Sequence, residues 1–263
     1  MHSVVTLPDE ELTIQTPNHW SSCGCAIPEL HFMFDMPVNC EFLPEFVAIT
    51  HTHVGHCWDL PLHITSQTHV FIPHENQKAI TAYIQAMSPE QLSPIIHGVR
   101  AGQTFPLKNE MQLEVFDLYH GVPCRGYGIS RAHSRLKPEF QGLTRNEIIQ
   151  LKKQGGQLTE IRREPLIAYL CDTSIHVLEH TPVIWEYPYL MLECTYLPID
   201  PSSEEHATAE KHIHWSQLSP WIQSHPETTF LICHVSSSYS EDQVRQFVHD
   251  VTLPNVKFCG DVY

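Results

Sequence analysis

Apolar residues fall in short blocks along this chain, and most blocks are too short to be anything but strands. The clearest early ones are "HFMFD" (31–35), "EFVAIT" (45–50), "THVFIP" (68–73) and "QLEVFDLYH" (112–120), set apart by Pro, Asn and Gly. One segment breaks the rhythm. "ENQKAITAYIQAMS" (75–88) carries its apolar residues at helical spacing, and Ser88-Pro89 should end it. Past residue 164 the strand-like blocks resume in "PLIAYLCD" (165–172), "YLMLECTYL" (189–197), "TTFLICHV" (228–235) and "NVKFCGDVY" (255–263). Helical patterns in "HWSQLSPWIQSH" and "SEDQVRQFVHD" (240–250) separate them. Recurring strands with helices between them predict an α/β or layered α+β architecture.

With 263 residues, 42% of them hydrophobic, the chain has enough material for one large core or two small ones. It shows no internal repeat, low-complexity tract or Gly/Ser linker, so one domain with an insertion fits best. No apolar run reaches the roughly 18 residues a membrane helix needs, and "MHSVVTLPDEELTIQ" has neither a basic region nor an apolar signal core. The expected location is the cytoplasm. The nine cysteines (23, 25, 40, 57, 124, 171, 194, 233 and 259) are scattered through apolar blocks, which predicts reduced, mostly buried thiols. Cys23 and Cys25 form a C-x-C pair, but no second pair completes a four-ligand zinc site.

The net charge of −15 argues against a polyanionic partner until its distribution is considered. Nine of the fifteen Lys and Arg residues lie between 125 and 163, opposed there only by Glu139, Glu147 and Glu160, so that stretch is +6 and the rest of the chain −21. The first 77 residues contain no Lys or Arg at all. A basic island in an acidic protein is either a solvated helix face or a phosphate contact.

Polar residues with metal-binding chemistry stand at the ends of the apolar blocks. His51 follows "FVAIT", His120 follows "EVFDLY", Asp172 follows "LIAYLC" and His234 follows "FLIC". Rigid scaffolds hold active sites at such strand ends. His51 and His53 are spaced H-x-H, which on an extended segment turns both rings to one side, and His56 comes a turn later. Imidazole and carboxylate together suit zinc and similar cations. The chain has 20 histidines, so accidental clusters are common; His2, His19, His63, His69, His74, His97, His176, His180, His206, His225 and His249 are read as surface or structurally satisfied.

Taken together, the blocks resemble a known family. "ITHTHVGH" is similar to the His-x-His-x-Asp-His signature of the metallo-β-lactamase superfamily, and the wider pattern resembles ribonuclease Z, which trims precursor tRNA at its 3′ end. "LYHGVPCRGYGI", "AYLCDTS", "LMLECTYL", "EKHIHWSQL" and "FLICHVSSSYS" resemble that family's later motifs, in order, over residues 23 to 263. "LKPEFQGLTRNEIIQLKKQGGQLTE" resembles the substrate-binding arm of its short, plant-like members. The resemblance implies an αββα sandwich of two mixed sheets flanked by helices, as a single domain over 1–263 with a basic arm inserted at about 129–164.

It further implies two zinc ions, with manganese or iron as alternatives. His51, His53 and His120 would hold one, His56 and His234 the other, and Asp172 would bridge them. His212 would assist the leaving group and Glu193 would orient it, while His214 matches a position without a catalytic role. Arg131, Arg135, Lys137, Arg145, Lys152 and Lys153 would grip precursor tRNA in a homodimer whose arms serve the opposite subunits.

Three positions depart from the pattern. Gly55 stands where the family has a ligating, proton-accepting aspartate, Cys171 replaces a glycine, and Ser238 replaces an arginine. The segment "WSSCGCAIPEL" is also altered from the family's glycine-rich form. Gly55 leaves the second site short of a ligand, and Asp59, one turn on, or a water would have to fill the gap. Loss of a positioned base costs about 10²- to 10⁴-fold in rate. Three readings follow: an active tRNA 3′-endonuclease, an impaired relative acting by RNA or protein binding, and a hydrolase of small phosphodiesters.

Overall fold

The computed structural model describes residues 4–7, 12–36, 42–88, 92–199 and 204–260. His2, Cys40 and Pro89 lie outside them. Two seven-stranded sheets form the body of the protein. The first runs in sequence order through β1 (Val4–Thr6), β2 (Thr13–Gln15), β3 (Cys25–Ile27), β4 (Phe32–Phe34), β5 (Phe46–Ala48), β6 (His69–Pro73) and β7 (Ile95–Val99). The second comprises β8 (Thr104–Pro106), β9 (Met111–Asp117), β10 (Arg125–Leu136), β11 (Thr159–Leu170), β12 (Tyr189–Glu193), β13 (Thr229–Cys233) and β14 (Val256–Phe258), also in sequence order.

Each sheet is antiparallel in one half and parallel in the other. Strands β4 to β7 pair in parallel in the first, and β11 to β14 in the second. Parallel strands need crossover connections, and helices supply most of them. These are α1 (Val54–Cys57), α2 (Leu60–His63) and α3 (Gln77–Met87) on the first sheet. On the second they are α5 (His176–His180), α6 (Glu204–Glu210), α7 (Trp215–Ser224) and α8 (Glu241–Asp250), following α4 (Arg145–Lys153) in the insertion. Ser240 caps α8 and His214 caps α7, each in a reciprocal capping box with a glutamine three residues on.

Three apolar clusters match this layering. Phe32, Phe34, Tyr127, Ile129, Tyr169 and Met191 belong to the one built from both sheets, while the other two lie under the helices of the first and second sheet. The buried strands read as near-continuous apolar runs because both of their faces are covered. Among the described residues no helix is long and apolar enough to cross a membrane.

Strands β10 and β11 are twelve residues each and pair antiparallel along almost their whole length. The register slips between Ile129 and Ser130, where Leu166 becomes the extra residue of a bulge. Before the bulge the hairpin is core; beyond it the burial falls away, and α4 at the far end has no buried residue. The charge island is this projecting hairpin with its short terminal helix, α4, whose capping box joins Thr144 and Glu147.

Candidate metal centre

Both sheets deliver polar residues from the same edge. Asp35 follows β4, His51 comes three residues after β5, His120 three after β9, Asp172 two after β11, and His234 one after β13, with Glu193 ending β12. Asp35, Asp172 and His234 all have φ near +50°. That left-handed turn is uncommon for residues other than glycine, and it turns the chain sharply where the strand stops.

His51, His53, His120 and Asp172 form one group whose donor atoms all lie within 4.8 Å of one another. His51 Nε2 is 2.9 Å from His53 Nδ1, His53 Nδ1 is 3.3 Å from His120 Nε2, and His51 Nε2 is 3.7 Å from Asp172 Oδ2. Nitrogen ligands about 2.0 Å from a tetrahedral zinc sit roughly 3.3 Å apart, so this spacing suits a cation. A second group joins His56, Asp172 and His234. Asp172 Oδ2 is 3.3 Å from His56 Nε2, and its Oδ1 is 3.4 Å from His234 Nδ1.

The hydrogen bonds behind these rings set which nitrogens face inward. Thr50 Oγ1 gives its proton to the Asp35 carboxylate, so it can only accept from His51 Nδ1, 3.0 Å away. His56 Nδ1 donates to Asp35 Oδ2 at 2.9 Å, and His120 Nδ1 donates to the Lys211 carbonyl at 3.2 Å. His51 and His120 therefore present an unprotonated Nε2 to the site, the arrangement metal-ligating histidines need, while His56 turns its Nε2 towards Asp172. Burial, reinforced by the neighbouring His56, pushes the His51 imidazole far below its ordinary range, and burial also lowers His53 and His120.

Asp35 is the organiser that the sequence reading missed. It is fully buried and accepts from Thr50 N at 2.7 Å, Thr50 Oγ1, His56 Nδ1 and Tyr169 Oη at 2.9 Å. Its one visible signal is an aspartate closing the apolar block "HFMFD". Among the described residues, the ion pairs of Asp35 and Asp172 are all with imidazoles. Two buried carboxylates facing one ring demand positive charge between them. Burial opposes it, yet the charge of Asp35 and a hydrogen bond to Asp172 hold His56 well above the usual imidazole range. Against the same desolvation, His234 and His56 hold Asp172 well below the carboxylate range.

Glu193 holds a third element in place. Fully buried, it accepts from Thr173 N at 2.9 Å, Thr195 N at 3.1 Å, Ile213 N at 3.2 Å and His212 Nδ1 at 2.6 Å. The His212 ring lies 5.1 Å from that of His120 and 5.6 Å from that of His234, at the mouth of the site. Burial works against protonation of His212, but the hydrogen bond and charge of Glu193 raise it to about 9. His214 is turned away and accepts from Ser216 N as the cap of α7.

Gly55 lies exposed in α1, and a Cβ built on it meets nothing within 4 Å. Asp59, at the start of α2, belongs to none of the metal-ligating groups among the described residues. Ser238 bonds only locally to Ser236, whereas Tyr239 Oη is buried and accepts from Leu197 N at 3.0 Å. Of the arm residues, Arg135, Arg145, Lys152 and Lys153 are exposed and Arg131 and Lys137 half-buried, all beyond the bulge and apart from the histidines.

Two plant proteins share this sequence pattern at length. The chloroplastic tRNase Z TRZ2 of Arabidopsis thaliana is 28% identical over 240 residues, which covers 84% of this chain and 66% of that protein. The tRNase Z TRZ1 of the same plant is 25% identical over 242 residues, covering 86% of each. The chain is similar to the tRNase Z proteins. It spans just under two thirds of the first relative's length, and no protein-family model matches it. The solved structure of human tRNase Z, short form, superimposes with a TM-score of 0.56 at 14% identity, covering 100% of this chain and 95% of that one. The metallo-β-lactamase fold protein YhfI of Bacillus subtilis gives 0.54 at 12% identity, covering 94% and 88%. The fold is that of the metallo-β-lactamase proteins.

Proposed function

We propose that this protein is a metal-dependent endoribonuclease that removes 3′ trailers from precursor tRNA. The observation that carries the reading is the convergence of five imidazoles on Asp172, in a chain similar to tRNase Z along most of its length. His51, His53 and His120 would hold one cation, His56 and His234 would line a second, and Asp172 would serve both. Two zinc ions fit this nitrogen and carboxylate set, and when bound they polarise a phosphodiester and make water a stronger nucleophile.

The remaining steps belong to the chain's own side chains. Asp35, Thr50 and the Lys211 carbonyl fix the tautomers of His56, His51 and His120, so each ring is oriented before substrate arrives. Glu193 keeps His212 protonated at neutral pH, ready to give a proton from Nε2 to the departing oxygen. The arm offers phosphates Arg135 and Arg162 along a groove of about 700 Å³ that His133 and Gln141 also line. The reading carries with it a cytoplasmic homodimer, checked by sedimentation of the purified protein.

One observation favours an impaired relative instead: Gly55 supplies no carboxylate. Cleavage of a radiolabelled precursor tRNA, with the product ends mapped, decides between them. The nuclease reading expects trailer removal that His212→Ala slows by about 10²- to 10⁴-fold and Asp172→Asn abolishes. Replacing residues 131–163 by a tight turn should remove tRNA binding and leave turnover of a small phosphodiester intact. A chain that cleaves neither substrate, with or without Gly55→Asp, is not a hydrolase.

A further inference from the structure

Helix α6 stops in a turn that its own sequence does not favour. His212 N donates to the Ala207 carbonyl at 2.9 Å and Lys211 N to the Thr208 carbonyl at 3.1 Å, the two bonds of a Schellman turn. The residue that follows the helix in such a turn is left-handed and usually glycine, yet here it is Lys211, at φ +59°. The turn itself therefore does not call for a lysine. A side chain carried on an unfavoured backbone conformation beside a cation cluster is a pointer to function.

Lys211 is tied to the cluster at two points. Its carbonyl accepts from His120 Nδ1 at 3.2 Å, and its ammonium donates to the His120 carbonyl at 3.3 Å. Any residue would supply the first bond, whereas the second needs a lysine. A lysine ammonium has three protons, so two remain for another acceptor. Among the described residues no carboxylate pairs with Lys211, and its side chain is exposed. Of the six Lys and Arg residues outside 125–163, it alone has a side chain hydrogen-bonded to the histidine cluster. Its neighbour His212 is kept positive by Glu193. Two adjacent cations at the mouth of the site, in a body that is otherwise acidic, suit a chain of phosphates.

We propose that Lys211 is a phosphate-binding residue of the cleavage site, its ammonium holding the RNA phosphate next to the one on which His212 acts. The inference rests on the RNA-cleaving reading above and adds a contact at the site itself to those of the arm. An RNA strand offers Lys211 that neighbouring phosphate; a small diester with a single phosphate has none to offer. The contact is made equally before and during bond breaking, so it acts on binding of the strand rather than on the chemical step.

Lys211→Gly tests this, because it keeps the carbonyl that His120 uses and suits the turn, so Tm should not fall. Filter binding of precursor tRNA to the full chain, on ice and over a salt series, should show Kd raised about fivefold at low salt and the slope of log K against log salt reduced by about 0.9, the share of one phosphate. In steady-state cleavage the loss should appear in KM, and Lys211→Arg should restore both measurements. Lys257→Ala, on β14, should change neither. An unchanged Kd and slope in Lys211→Gly, or a loss confined to kcat, overturns the phosphate contact and leaves Lys211 a support for His120. A wild-type chain that binds precursor tRNA without cleaving it defeats the nuclease reading, while the binding series still decides the contact. A chain that binds no RNA overturns both.

Discussion

Gly55 needs no conformational freedom of its own, for its backbone is helical and a Cβ there meets no atom within 4 Å. An aspartate there costs no packing. Gly55→Asp should therefore fold with unchanged stability, within about 0.5 kcal/mol, and tighten the second cation, as equilibrium dialysis would show. His212 carries a second residue-scale prediction. Its imidazole is raised to about 9 by Glu193 despite its burial, so folding favours the charged form. The stability this contributes is complete below the unfolded value of about 6.5 and is lost as pH rises through about 9. NMR titration of the metal-stripped protein should show His212 near 9 and Glu193→Gln should bring it down towards neutrality; an unchanged value would remove Glu193 as the cause. At this scale the histidines and Asp172 were legible, because strand-end position and spacing exposed them. Asp35 was not. A lone carboxylate after "HFMF" resembles a solvated turn, and only the fold shows Thr50, Tyr169 and His56 arriving around it from two other segments.

The long hairpin is the element whose two halves do different work. Gly126 and Gly128 belong to its core half, where an added Cβ would collide with Leu170 or with Tyr187. Beyond the bulge at Ser130, Leu158 is the one buried apolar residue of the arm among those described, and the principal anchors are Arg163's ion pairs with Glu114 and Glu186 and its stacking on Tyr187. Such anchors contribute little. Replacing 131–163 with a turn should therefore lower Tm by no more than about 5 °C, measured by calorimetry; a collapse of the transition would make the arm part of the core. The parallel strands β5, β6, β11, β12 and β13 and the helices α3, α7 and α8 were readable from apolar blocks and periodicity. The helix read over 75–88 begins as a short 3-10 turn at His74–Asn76 and is regular only over Gln77–Met87. The short strands β1, β2, β3 and β8 were not readable, since three residues are too few to show alternation and their pairing partners define them. The hairpin itself was hidden because β10 and β11 are polar for half their length.

The whole molecule separates two tasks by charge. An acidic body carries the histidine and aspartate cluster, and nine of the fifteen basic residues lie in the long hairpin between 125 and 163, with a net charge of −15 overall. On the proposed tRNA reading the arm supplies the main attraction for substrate, so binding should weaken steeply with salt. Lys152→Ala with Lys153→Ala should reduce the slope of log K against log salt by about 1 for each phosphate that is no longer neutralised, and a slope unchanged from wild type would place the RNA elsewhere. Everything functional depends on both sheets bringing their strand ends to one edge, where imidazoles from the first meet Asp172 from the second. Elemental analysis of the purified chain, exchanged into metal-free buffer and compared with Asp172→Asn, tests this most directly. At least one equivalent of zinc or a similar cation should remain with the wild type and be lost or sharply reduced in the variant. A wild-type chain that retains none, and takes up none when zinc is offered, would contradict the account.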